Sequence, residues 1–136
     1  MNNRELLDSA FAAMKKSYSP YSGYTVGAAL LSASGRVYTG CNIENAAFGP
    51  TNCAERTAFF KAVSEGERSF IKIAVVGGKG GSVTGLFMPC GVCRQVMAEF
   101  CLPDFQIICA SSENEYEVFT LAQLLPGSFS PETISE

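Results

Sequence analysis

One segment constrains the fold more than any other: Tyr24-Thr25-Val26-Gly27-Ala28-Ala29-Leu30-Leu31. From Val26 onward it is apolar without interruption, far too short to span a membrane, and suited to a strand covered on both faces. A sheet holding such a strand needs helices above and below it. Leu6, Leu7, Ala10, Phe11 and Met14 recur at helical spacing and predict an amphipathic helix over roughly 4–18, ended by Ser19-Pro20-Tyr21-Ser22-Gly23. Ser34-Gly35 turns the chain into a second strand over 36–41, a hairpin partner for the first. After a polar, Asn-rich loop over 42–52, the pattern predicts a helix from 53 to about 64, a strand over 69–76 and a flexible loop at Gly77-Gly78-Lys79-Gly80-Gly81. A helix over 90–101 and strands over 105–110 and 116–121 follow.

These elements limit the topology. The five residues 111–115 are too few for a crossover, so the last two strands are expected to be antiparallel. A helix separates the third and fourth strands, which are expected to be parallel. The expectation is an α/β fold with one mixed five-stranded sheet and helices on both faces. No linker, repeat or low-complexity tract divides the 136 residues, so residues 1–136 are expected to form a single domain.

Composition restricts the chemistry as firmly. There is no histidine among the 136 residues. A Ser-His-Asp or Cys-His nucleophile is therefore excluded, and a zinc site must use Cys, Asp and Glu. Any general acid or base must be a carboxylate, Lys, Tyr or Cys. The formal charge of −3 argues against a large surface for nucleic acid or for an anionic membrane. Six cysteines are too sparse for a disulfide scaffold, and the N-terminus lacks the apolar stretch of a signal peptide. The expectation is a soluble protein of a reducing, cytoplasmic compartment, with its cysteines free or metal-bound.

Two segments carry candidate chemistry: Thr51-Asn52-Cys53-Ala54-Glu55-Arg56 and Pro89-Cys90-Gly91-Val92-Cys93-Arg94-Gln95. Each opens a predicted helix. Cys90 and Cys93, three residues apart, face one side of a helix start, and Cys53 supplies a third sulfur from another. Three thiolates with a fourth position open is the ligand set of a catalytic zinc site. A thioredoxin-like redox pair and inert buried thiols are the competing readings, although a redox pair explains neither Cys53 nor Glu55. Cys41, Cys101 and Cys109 fit packing as small hydrophobes. Glu55, two residues beyond Cys53, diverges from it on a helix. It is therefore placed to accept a proton over the open position rather than to coordinate. Three thiolates on Zn²⁺ leave a net −1, which two helix N-termini offset in part and Arg56 could offset further. A solvated surface arginine is the alternative for Arg56.

Cys53-Ala54-Glu55 followed by Pro89-Cys90-Gly91-Val92-Cys93 resembles the three-cysteine variant of the zinc nucleobase deaminase pattern. The resemblance is to the small, homotetrameric, zinc-dependent cytidine deaminases of the cytidine/deoxycytidylate deaminase family. It runs over nearly the whole chain, through Pro20-Tyr21-Ser22, Val26-Gly27-Ala28-Ala29, Gly40-Cys41-Asn42-Ile43-Glu44-Asn45-Ala46-Ala47, Cys53-Ala54-Glu55-Arg56-Thr57-Ala58 and Leu124-Leu125-Pro126. It implies a three-layer α/β/α fold and one Zn²⁺ per chain on Cys53, Cys90 and Cys93. Glu55 is then the catalytic acid and base, with Arg56 balancing the charge of the sulfurs. It further implies that Asn42 and Glu44 hold the ribose, that Tyr24 packs on the pyrimidine, and that the Ala54 backbone reads the base edge. Phe48 and Phe129 resemble aromatics that reach a neighbouring subunit's site, with Gly49-Pro50 a variation in the loop after Phe48.

The implied activity is pyrimidine salvage. Cytidine and 2′-deoxycytidine become uridine and 2′-deoxyuridine with release of ammonia, through attack of zinc-bound hydroxide on C4. The implied partners are a small nucleoside and three further copies of the chain, with no nucleic acid and no membrane. The nearest alternative is a zinc deaminase of another substrate, such as a nucleoside antibiotic or a base in a polynucleotide. A non-enzymatic zinc or redox module is more distant.

Overall fold

A computed structural model describes residues 1–135. Its elements are α1 (Asn3–Met14), β1 (Tyr24–Ser32), β2 (Val37–Cys41), α2 (Ala54–Ser64), β3 (Phe70–Lys79), α3 (Gly91–Phe100), β4 (Gln106–Ala110) and β5 (Tyr116–Thr120), followed by the single-turn helices α4 (Leu121–Leu124) and α5 (Pro131–Ile134). The sheet order is β2-β1-β3-β4-β5. β1 pairs antiparallel with both β2 and β3, β3 and β4 are parallel, and β4 and β5 are antiparallel. This is the expected mixed five-stranded sheet, and it is open.

The uninterrupted apolar run is two-sided, as its composition requires. Val26, Ala28 and Leu30 join Ile73, Val75, Ile107 and Cys109 in a core closed by α2, α3 and α4. Ala29 and Leu31 point the other way, with Ala74, Val76, Ile108 and Ala110, into a core closed by α1. Two glycines set how near the helices come. A Cβ on Gly27 would lie 2.0 Å from the Ala10 carbonyl oxygen of α1, and one on Gly40 would lie 2.4 Å from that of Ala54 in α2. The second approach fixes the start of α2, where Cys53 sits, against the hairpin.

Among the element ends that differ from expectation, three show the physical reason. The first helix stops at Met14 rather than near residue 18. The Ser17 hydroxyl donates to the Met14 carbonyl (2.8 Å), and the Tyr18 N–H donates to Asn42 O (3.0 Å), which draws the chain across to the loop beyond β2. β3 continues through Gly77, Gly78 and Lys79, a stretch the sequence predicts as loop. These residues pair with Val26, Thr25 and Tyr24 and so satisfy backbone groups at the start of β1 that would otherwise be orphaned. β5 ends at Thr120, because its side chain accepts the Gln123 N–H and caps α4.

Candidate active site

Cys53 and Cys90 are the N-cap residues of α2 and α3, and both have extended backbone. Neither side chain caps its own helix. The sulfurs are thereby left free to point at one another, with Cys53 Sγ 3.6 Å from Cys90 Sγ and Cys90 Sγ 3.5 Å from Cys93 Sγ. All three lie within 4.8 Å of each other, and among the described residues this is the one such cluster of Cys, Asp and Glu ligands. Tetrahedral Zn–S bonds of ~2.3 Å put sulfurs ~3.8 Å apart, so the donor set fits zinc without rearrangement. Cys93 is buried, Cys53 half-buried and Cys90 exposed, which places the accessible side of the cluster at Cys90.

Charge accumulates at this point. Two helix N-termini converge on the sulfurs. Arg56, on the first turn of α2, donates from Nη2 to Cys53 Sγ at 3.2 Å, and its Nε is buried without a partner among the described residues. A hydrogen bond from Cys93 and the Arg56 guanidinium hold the Cys53 thiol down to about 5, against the opposing effect of burial. Cys93 keeps its own proton, its pKa raised by that same bond and by burial. Although burial works against its charge, Arg56 is held more firmly protonated by its bonds to Cys53 and Cys93.

Glu55 is 2% exposed, and its Oε1 has no hydrogen-bond partner among the described residues. Burial pushes its carboxyl up to about 7, with the negative charge of Cys53 adding to the effect. A buried carboxyl with one oxygen unpaired, half-protonated near neutral pH, is costly to hold and suited to proton transfer. By contrast, Cys101 and Cys109 are pushed up to about 12 by burial and stay protonated among apolar neighbours.

A second group of residues lies in the loops beside this cluster. Asn42 is buried. Its Oδ1 accepts the Val26 N–H (2.9 Å) and its Nδ2 donates to Tyr24 O (2.8 Å), continuing the strand ladder with a side chain. Glu44 Oε1 accepts the N–H groups of Tyr21 (3.0 Å) and Ser22 (3.1 Å), and its Oε2 accepts the Ser22 hydroxyl. The Ser22 hydroxyl and the two N–H bonds hold its carboxyl below the usual carboxylate range. Tyr24 is exposed at the head of β1. Tyr21, Ser22, Glu44, Phe48 and Thr51 line a recess of 410 Å³. Phe48, at φ 60, is 69% exposed and meets Tyr21 edge to face at 6.2 Å. Ile43 and Asn52 exchange backbone hydrogen bonds of 2.9 Å, tying this loop to the residue just before Cys53.

A family model for the cytidine and deoxycytidylate deaminase zinc-binding region matches residues 1–109. The chain belongs to the cytidine and deoxycytidylate deaminase family. A cytidine deaminase of Sporosarcina psychrophila is 50% identical over 135 residues, covering 99% of this chain and 96% of that one. One of Halalkalibacterium halodurans is 46% identical, with both chains covered completely. The crystal structure of the cytidine deaminase from Burkholderia pseudomallei superposes with a TM-score of 0.88 at 44% identity, covering 95% of this chain and all of that one.

Against that family frame, the structure brings Cys53, Cys90, Cys93, Glu55 and Arg56 into one cluster and links Tyr24, Asn42 and Glu44 into another. Ala54, between Cys53 and Glu55, is fully buried. Phe129 stands apart. Its side chain is 58% exposed, and its carbonyl accepts from Gln95 Nε2 of α3 (2.7 Å). No ring contact or hydrogen bond among the described residues joins Phe129 to Tyr24, Asn42 or Glu44. The sequence does not single out Ser22, whose hydroxyl joins Glu44 to the Tyr24 N–H. Ser22 lies inside the Pro20-Tyr21-Ser22 motif, so that motif was the available signal.

Proposed function

We infer that this chain catalyses the hydrolytic deamination of cytidine and 2′-deoxycytidine, releasing ammonia and the corresponding uridine nucleosides. The observation that carries the reading is a buried Glu55 carboxyl, its Oε1 without a hydrogen-bond partner, beside three sulfurs that have no fourth Cys, Asp or Glu ligand among the described residues. Cys53, Cys90 and Cys93 would hold zinc, which supplies a water acidic enough to act as nucleophile near neutral pH.

The remaining work falls to the chain's own side chains. Glu55 takes a proton from the attacking water and places it on N3 of the pyrimidine. It then carries a proton to the amino nitrogen on C4, so that ammonia rather than an amide ion departs. Its pKa of about 7 lets it act as base and acid in one cycle. Arg56 draws charge from Cys53, and the two helix N-termini do the same from Cys53 and Cys90. Tyr24 packs on the pyrimidine, the Ala54 backbone reads its edge, and Asn42 and Glu44 hold sugar hydroxyls. Asn42 has one N–H and one lone pair left for this after its two internal bonds.

Phe48 and Phe129 complete a neighbouring chain's pocket in a homotetramer. Their exposure of 69% and 58% supports a surface meant to be covered. Light scattering is expected to give four chains, and a fully active monomer would rule the shared pocket out. The reading places the protein in the cytoplasm, in pyrimidine salvage. None of the described helices is long and apolar enough to cross a membrane.

The deciding experiment measures ammonia from the zinc-loaded protein with cytidine, deoxycytidine, cytosine and a cytosine-containing oligonucleotide. Release from the first two alone is expected. Release from the oligonucleotide alone would overturn the assignment.

A further inference from the structure

Ser22 has no part in the mechanism above, yet it is the hydrogen-bonding hub of the loop residues. Its hydroxyl oxygen accepts the Tyr24 N–H (3.0 Å) while its proton goes to Glu44 Oε2. Its own N–H goes to Glu44 Oε1 (3.1 Å), beside that of Tyr21 (3.0 Å). Both backbone donors converge on Oε1. Without the Ser22 hydroxyl, the carboxylate would still be tethered but free to turn about that one oxygen. A carboxylate offers about four lone-pair directions, of which three are taken here, leaving one on Oε2. The direction of that last lone pair is what the Ser22 hydroxyl sets.

We propose that Ser22 is a positioning residue for substrate recognition: its hydroxyl, itself anchored by the Tyr24 N–H at the start of β1, fixes the direction of the Glu44 carboxylate, so that one sugar hydroxyl meets a lone pair already aimed at it. This rests on the assignment of Glu44 to the sugar. The surrounding backbone holds the frame. Gly23, at φ 74, donates to Ser19 O (3.1 Å), and its own carbonyl accepts the Gly80 N–H (2.9 Å) at the end of β3. Against this anchored turn, the Ser22 hydroxyl bridges Glu44 to the strand. Preorganisation of this kind lowers the ordering cost of binding and shows in KM more than in kcat.

The test compares Ser22→Ala, Ser22→Thr and Glu44→Ala on cytidine and on 2′,3′-dideoxycytidine, which lacks the sugar hydroxyls Glu44 could accept. Zinc content and Tm are checked for each variant. Ser22→Ala is expected to lower kcat/KM for cytidine about tenfold, the scale of one hydrogen bond to a charged group, with the loss in KM. On dideoxycytidine it is expected to match wild type within about twofold, and Ser22→Thr is expected to restore cytidine activity. If Glu44→Ala weakens cytidine but Ser22→Ala does not, Ser22 positions nothing and the proposal falls while the role of Glu44 stands. Equal losses on both substrates would show that Ser22 supports the fold or the base rather than Glu44, which also overturns it. If Glu44→Ala changes neither substrate, the sugar assignment and the proposal fall together.

Discussion

The sulfur side of the site is carried by two helix starts, whereas the Asn42–Glu44 side is carried by loops. On the first, positions are set by helix geometry: Cys53 and Cys90 are N-caps, and Cys93, Glu55 and Arg56 follow at fixed angles within one turn. On the second, no regular element dictates where Glu44 or Asn42 lies. Side-chain bonds to backbone do so instead, from Asn42 to Val26 and Tyr24 and from Glu44 to Tyr21 and Ser22. The sulfur side also holds unpaired polar atoms, Glu55 Oε1 and Arg56 Nε, both buried without a hydrogen-bond partner among the described residues. On the loop side, Asn42 and Glu44 each have internal partners and keep bonding capacity to spare. In the proposed reading, the reacting groups are left unpaired on the rigid side, and the groups that hold substrate are held in place themselves on the soft side. This is the division a catalyst needs between transition-state work and substrate placement.

The harshest challenge to this contrast is removal of the metal. One zinc per chain is expected by elemental analysis, and a chelator is expected to abolish ammonia release. Far-UV circular dichroism is expected to change little, because both core clusters are closed by apolar side chains without help from the sulfurs. An active preparation without zinc would remove the sulfur side from the mechanism altogether.

Next in size is Glu55→Gln, which keeps the shape and removes the proton carrier. General acid–base catalysis contributes about 10²–10⁴-fold, and one residue here serves several transfers. A loss in kcat at or beyond the top of that range is expected, with zinc retained. The variant is also expected to be at least as stable as wild type, since a neutral amide replaces a buried ionisable group. More than about a tenth of wild-type kcat would contradict the assigned role.

Arg56→Gln tests whether charge balance on the sulfur side matters beyond geometry. Partners that hydrogen-bond to a ligand typically change metal affinity or activity by about 10–100-fold, and a fall in kcat within that range is expected. Cys53→His removes one negative charge from the ligand set, so Arg56 is needed less in that background. A double-mutant cycle between the two, with zinc measured in each variant, is expected to be non-additive. Simple additivity would return Arg56 to the status of an ordinary surface arginine.

The same contrast explains what the sequence made legible. Spacing on helices reads directly: Cys90 and Cys93 three apart, with Glu55 two beyond Cys53, are enough to place the sulfur side from the sequence. Alternation and apolar runs gave the strands, because one-sided and two-sided burial leave different patterns in residues such as Val26 to Leu31. The end of α1, the extension of β3 through its glycines and the hub at Ser22 were not legible. Each depends on a partner distant in sequence: Asn42 for Tyr18, Tyr24 for Lys79, Glu44 for Ser22. Asn42 and Glu44 themselves were assigned only through resemblance, since an Asn and a Glu in a polar loop carry no periodic signal.

The finest division runs within the loop side, between Asn42 and Glu44. Asn42 is buried, and its amide substitutes for a missing strand neighbour at Val26 and Tyr24, whereas the bonds of Glu44 are exposed ones. Asn42→Ala strips both bonds. The Val26 N–H keeps the Ser17 hydroxyl at 3.2 Å, so the Tyr24 carbonyl is the group left short. One half-buried carbonyl left unpaired, together with the lost bonds, costs roughly 2 kcal/mol, which for a chain of this length lowers Tm by about 6 °C. Glu44→Ala removes bonds that water replaces and is expected to change stability by less than about 0.5 kcal/mol. Both are expected to raise KM for cytidine, so kinetics alone does not separate them, but thermal unfolding does. If Glu44→Ala lowers Tm as far as Asn42→Ala, the carboxylate is part of the scaffold too, and the division between a built-in amide and a poised carboxylate does not hold.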